Sequence, residues 1–227
     1  MKTIQRSIVS LFATLLATIF VSTPDAAPYQ KGDVKLQSIG PLATGPDGVL
    51  FVSDPKAASI IAIKTEAKPT DKSSGNFKVE GLNAKVAAVL GASVDQVRIV
   101  DLAVDSASKT AYMSVVRGQG ADANAVVVSV HPSGKIHVLS LKNIQHSVAK
   151  LSNAPDDKET GTGRRRRNQR MESITDIAFV KGKVIVAGLS NEEFSSTLRT
   201  IPFPFEGSQK RTGVRIFHGA HGRYETS

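Results

Sequence analysis

No cysteine and no tryptophan occurs among the 227 residues. The first absence excludes disulfides, thiolate metal sites and cysteine nucleophiles. The second, with aromatics at only 5%, argues against an aromatic-lined groove for sugars or nucleic-acid bases. A G-x-S-x-G nucleophile motif is also missing, which removes the usual serine-hydrolase signature. What is present suits a folded domain. Apolar residues make up 41% and charged residues 22%, enough for one sizeable core or two small ones.

The N-terminus reads separately from the rest. Lys2 and Arg6 precede the apolar run IVSLFATLLATIFV at 8–21, and the small and turn-forming residues STPDAAPYQ follow. Fourteen residues are short for a membrane span, and the layout is that of a secretory signal peptide. Residues 1–26 are therefore expected to be removed, with cleavage after Ala26. Pro24, Asp25 and Pro28 crowd that site, so an uncleaved N-terminal anchor, holding the chain at a membrane, is the alternative. Loss of Lys2, Arg6 and Asp25 leaves 27 basic against 19 acidic residues. The expected location is outside the cytoplasm of a bacterium, periplasmic or secreted, because an exported protein without disulfides fits a periplasm better than an animal extracellular fluid. The positive charge serves solubility first and an acidic partner second.

The stretch GPLATGPDGVLFVSD at 40–54 has two later copies. They are VDLAVDSASKTAYMSV at 100–115 and TDIAFVKGKVIVAGL at 175–189. The shared phrase is Leu or Ile, then Ala, a turn, and an alternating apolar strand. Its alanine falls at Ala43, Ala103 and Ala178, spaced by 60 and 75 residues. Further strands follow each copy: 59–64 and 76–81, then 125–130 and 135–141, then 196–201 and 214–218. Four short strands per repeat predict β-propeller blades. Expected blades cover 34–79, 99–141 and 174–218, an all-β and incomplete propeller. A β-sandwich is the alternative. One helix is expected over 82–93, ending at Gly91, between the first two blades. The polar stretch DDKETGTGRRRRNQR at 156–170 is expected to be a mobile, solvated loop. Its four arginines suit an acidic surface, but export makes nucleic acid an implausible partner.

The phrase LATGPDGVLFVSD with SIIAI resembles the blade repeats of NHL, YVTN and gluconolactonase-like propellers. VDLAVDSASKTAYMSVVRGQGADA (100–123), ITDIAFVKGKVIVAGLSNEEFSSTLRTIPFPF (174–205) and FHGAHGRYET (217–226) resemble uncharacterised secreted bacterial propeller proteins. Members of that group look longer, which implies a truncated chain or fragment here. Closed propellers have four to eight blades, so three would leave open side faces and an expectation of self-association.

Candidate functional residues follow from blade geometry. In a blade running outward from the channel, the first strand starts at the face that carries the second-to-third and fourth-to-first connections. Most long connections fall on that face, and function tends to sit on loops of a rigid scaffold. Asp101 and Asp176 occupy equivalent positions there, and Asp54 ends a second strand. Three such carboxylates could converge on a calcium ion, which takes several oxygen ligands, and gluconolactonase-like propellers imply a central metal. The plainer reading has each aspartate serving nearby backbone groups. Asn191, Glu192 and Glu193 crowd one loop, where paired carboxylates could do acid–base work or simply be solvated. Arg117 in RGQG could hold an anion. His218 and His221 in HGAHGR form a candidate metal pair that lacks a third ligand. The function these features support is an exported binding or scaffold module for an unknown protein or small molecule. A calcium-dependent hydrolase of the lactonase type is the alternative, and a quinoprotein-like dehydrogenase the weaker one.

Overall fold

The structure is a computed structural model that describes residues 29–69, 78–192, 195–220 and 222–225. The expected signal segment 1–26 lies outside the described residues. Strands β1 (Gln30–Gly32) and β2 (Leu42–Thr44) lead into β3 (Val49–Asp54) and β4 (Ser59–Lys64). Every residue of β3 is buried, as is all of β4 but Lys64. A strand apolar on both faces needs cover on both sides, and this pair lies in the middle of the molecule. The β2–β3 turn is Pro-Asp-Gly, with Asp47 and Gly48 both left-handed at φ 53° and 72°.

Helix α1 (Leu82–Leu90) comes next. Gly91 ends it in the left-handed conformation, with its N–H bonded to Ala88 O, as the sequence predicts. A second run of strands follows: β5 (Val97–Val104), β6 (Ala111–Arg117), β7 (Asn124–Val130) and β8 (Ile136–Val138). Then come β9 (Ile144–Lys150) and the short strands β10 (Glu159–Thr160) and β11 (Arg167–Asn168). The third run is β12 (Asp176–Val180), β13 (Lys183–Leu189), β14 (Ser196–Pro202) and β15 (Lys210–Gly213). A last hairpin joins β16 (Ile216–His218) to β17 (Arg223–Glu225).

Among the described residues, three antiparallel sheets of four or five strands result, beside the two-stranded β10–β11 and β16–β17. The central sheet has the order β1-β9-β4-β3-β2; the second runs β5-β6-β7-β8, and the third β12-β13-β14-β15. They stack face to face. Leu50, Val52, Ile61 and Ile63 of the central sheet pack against Tyr112 and Val127 of the second. Phe51, Ile60 and Ala62 point the other way, onto Ile177, Val184 and Val186 of the third. On the far side of the second sheet, Val86 of α1 packs against Met113, Val115 and Val128. Strand β2 lies beside both β5 and β12, so the first strands of the three sheets come together. Sheets packed by their faces with their first strands adjacent make an all-β, propeller-like architecture.

Several expected boundaries need correction. The second unit forms as expected, within 97–138. The first does not close on itself: its fourth strand is β9, which the chain supplies only after completing the second sheet, and β1 adds a fifth. In place of the expected strand at 76–81, the described residues 78–81 carry none. Val79 packs with α1, and Gly81 turns left-handed at φ 62° to start the helix. The central sheet is thus the first copy in sequence but the middle layer in space. In the third unit the fourth strand is the polar KRTG of β15, every residue exposed, where an outer edge strand needs no apolar face. The expected strand at 214–218 instead contributes to the β16–β17 hairpin.

The stretch 156–170, expected as a mobile, solvated loop, is mostly exposed and carries a short hairpin. Its acidic half folds back on its basic half. Glu159 pairs with Asn168 and Thr160 with Arg167 across β10 and β11, Arg166 ion-pairs with Glu159, and Asn168 donates to Asp157 at 2.7 Å. Of the four consecutive arginines, Arg166 is thus paired within the hairpin.

Candidate functional site

Each candidate aspartate within the sheets holds backbone. Asp54 is 1% exposed. Its Oδ2 accepts from Gln37 N at 2.7 Å, and its Oδ1 accepts from Ser38 N at 3.0 Å, Ser38 Oγ at 2.8 Å and Ala57 N at 3.1 Å. The carboxylate pins the approach segment 37–38 to the β3–β4 turn. Asp101 sits at a bulge where the β5–β6 register shifts between Ile99 and Asp101. Its Oδ2 accepts from Leu42 N at 2.8 Å, so it ties the first strand of the second sheet to the first strand of the central one. Asp176 is exposed and accepts from Ile177 N at 2.8 Å. Ile177 faces the central sheet, so by strand alternation Asp176 faces away from it. Asp101 and Asp176 therefore stand on strands either side of β2 and serve different N–H groups.

A further carboxylate, Asp105, does the same work unannounced by any motif. It accepts from Ser108 N, Ser108 Oγ and Ala107 N in the β5–β6 turn. Burial pushes its pKa up, but those hydrogen bonds and the Lys109 charge more than reverse this and hold it below the usual range.

The loop candidates also resolve into contacts. Arg117 Nη2 reaches Gly91 O at 3.4 Å, at the end of α1. Asn191 N donates to Asn153 O at 3.0 Å. Glu192 Oε1 accepts from Asn153 Nδ2 and pairs with Arg211 Nη2, both at 3.1 Å. Glu193 and His221 lie outside the described residues. His218 closes β16, in register with Arg223. Among the described residues no three histidine, aspartate or glutamate side chains group closely enough to hold a metal ion.

Beside the end of β13 lies Arg199, which no motif marks. It is fully buried, donating to Leu189 O at 2.9 Å and Ser173 O at 3.4 Å. Burial lowers its pKa and the neighbouring Arg211 charge adds to this, while Glu192 opposes it. Glu192 thus acts as a counter-charge for Arg211 and Arg199.

One opening in the surface lies elsewhere. A cleft of ≈ 490 Å³ lies at the outer edge of the junction between the central and second sheets, lined by Lys31, Lys64 and Lys142 with Glu66. Lys31 is on β1, opposite Gln145 of β9, and Lys64 ends β4 opposite Val49. Lys64 Nζ stands 4.9 Å from the Tyr29 ring centroid. Tyr29 has its hydroxyl buried without a partner among the described residues, and burial pushes its pKa up to about 12. The turn carrying Lys142 is clipped to the start of the chain by Val34 N→Leu141 O and Asn143 N→Asp33 Oδ1, both at 2.8 Å. The three lysines are 33 and 78 residues apart in sequence, so only the pairing of β1 and β4 with β9 could reveal them.

No protein-family model and no curated protein matches the chain. Among solved structures it is similar to a luciferin-regenerating enzyme, at 10% identity and a TM-score of 0.35, covering 84% of each chain. It is also similar to the PQQ-bound aldose sugar dehydrogenase of Streptomyces coelicolor, at 14% identity and TM-score 0.24, over 88% of this chain and 87% of that one. A streptogramin B lyase matches at 12% identity and TM-score 0.23, over 86% of this chain and 57% of its own. At these identities and scores the likenesses assign no chemistry here, and the fold stands on its own sheet topology.

Proposed function

We propose that this chain is an exported bacterial binding and scaffold module built from propeller-type blades. The support is the use made of its carboxylates. Asp54, Asp101 and Asp105 already accept hydrogen bonds from backbone N–H groups that join turns and sheets. A calcium-dependent hydrolase would need such oxygens free to converge on one ion. The expected N-terminal signal segment supports export.

Asp101→Ala tests this directly. It leaves Leu42 N without its acceptor at the junction of two sheets, and a lost partner for a part-buried donor costs about 1–3 kcal/mol. The expected loss in chemical denaturation is about 1–2 kcal/mol, equal in calcium and in chelator. A bound ion would add a calcium-dependent share to the wild-type stability. Elemental analysis of the purified protein is expected to find no stoichiometric calcium, and assays with simple lactones no turnover. Calcium at one equivalent, together with lactone hydrolysis that Asp101→Ala abolishes, would replace this reading with the hydrolase.

A further inference from the structure

We propose that the cleft between the central and second sheets is a site for a small organic polyanion, a short carbon skeleton bearing two or more carboxylate or phosphate groups. This deepens the binding-module reading and rests on it. Three lysines from three separate elements line one opening, together with a single carboxylate, Glu66. Among the described residues none of the three lysines forms an ion pair. Three cationic residues against one anionic residue leave the cleft net positive, and an anion seated among them offsets that excess charge.

The cleft is also held ready. Lys31 is fixed by the β1–β9 ladder, Lys64 by the β3–β4 and β4–β9 ladders, and Lys142 by the two hydrogen bonds that clip its turn to residues 33 and 34. Little backbone ordering is left to oppose binding. Gln145 and Asn143 add amide donors, while Leu139 and Ile144 supply apolar wall. Amide donors suit oxyanions, and the apolar wall suits a carbon skeleton over a bare inorganic ion. A cleft of ≈ 490 Å³ lies within the range of small-molecule sites.

The test uses the full-length protein with citrate as the organic polyanion, inorganic pyrophosphate as the carbon-free one, and sodium chloride at matched ionic strength. Calorimetry and thermal melting are expected to show citrate binding beyond the salt control, pyrophosphate binding more weakly, and both weakening as salt rises. Lys64→Gln should weaken citrate at least threefold, and the triple variant Lys31→Gln/Lys64→Gln/Lys142→Gln should abolish binding. All three side chains are exposed, so the triple variant should melt cooperatively; Lys135→Gln/Lys183→Gln, away from the cleft, should bind as wild type. Citrate binding that survives the triple substitution overturns the site while leaving the binding-module reading intact. No binding beyond the salt control overturns the site as well. Metal-dependent turnover in the assays above would overturn the wider reading, independently of either result.

Discussion

Replacing Phe51 with alanine lowers the stability of the fold by about 3–5 kcal/mol, the usual cost of deleting a fully buried aromatic ring. Phe51 sits in β3 at 0% exposure. Its ring stacks on Phe179 of the third sheet at 5.4 Å between centroids and meets Phe203 edge-on at 4.9 Å. Phe205 completes the group at 6.2 Å. The fit leaves no slack: a Cβ added at Gly45 would stand 2.6 Å from the ring. The cavity left by the substitution would lie between the central and third sheets, so the variant should loosen their junction first. Urea denaturation should give the full loss, and hydrogen exchange should rise in β12 and β13 before it rises in β6. Phe217, 55% exposed on the last hairpin, supplies the control, with Phe217→Ala expected to cost under about 1 kcal/mol. A loss of less than about 1 kcal/mol at Phe51 would mean that the third sheet is not docked where the structure puts it.

The same ring shows how much of the architecture was readable from the chain. VLFVSD and SIIAIK are apolar at successive positions, which marks strands covered on both faces, and the repeated Leu/Ile-Ala phrase marks the first strand of each sheet. The turn residues were equally plain, since Pro-Asp-Gly and Lys-Gly close hairpins. What did not show was membership. β9 reads IQHSVAK, with His146, Ser147 and Ala149 buried and Val148 exposed; where burial and apolarity do not coincide a strand carries no apolar period. β15 is all polar because it is an edge. The apolar pattern therefore points to 76–81 for the central sheet and to 214–218 for the third, where the structure uses β9 and β15. Arg199 hid for a related reason. It shares its strand phase with Ile201, which faces the core, and that phase alone could have signalled a buried arginine.

The candidate site divides the same way. Aspartates repeated at sheet entrances were visible, and so was their plainer role with backbone groups. The lysine cleft was not, because its members meet only through the long-range pairing of β1 and β4 with β9. Local spacing records which residues recur; it does not record which edge a later strand will join.

Asp54→Ala should cost about 3–5 kcal/mol, as large an effect as the loss of the buried ring, though only a polar group is removed. Four donors meet this one carboxylate: Gln37 N, Ser38 N, Ser38 Oγ and Ala57 N. Three are backbone N–H groups, and each buried donor left without an acceptor costs about 1–3 kcal/mol, less where water can reach it. Ala57 and the 37–38 segment are partly open to solvent, so the sum falls short of three full penalties. Asp54→Asn separates charge from geometry. Its carbonyl oxygen can keep the three donors of Oδ1, but its NH₂ then faces Gln37 N, donor against donor. An intermediate loss of about 1–2 kcal/mol is expected. The damage should be local as well as global: hydrogen exchange at Gln37 and Ser38 should rise in both variants, because this carboxylate is the acceptor for both of their N–H groups. Both losses should be the same in calcium and in chelator. A loss confined to calcium-containing buffer would show instead that Asp54 ligates an ion, and would return the carboxylates of these sheets to metal chemistry.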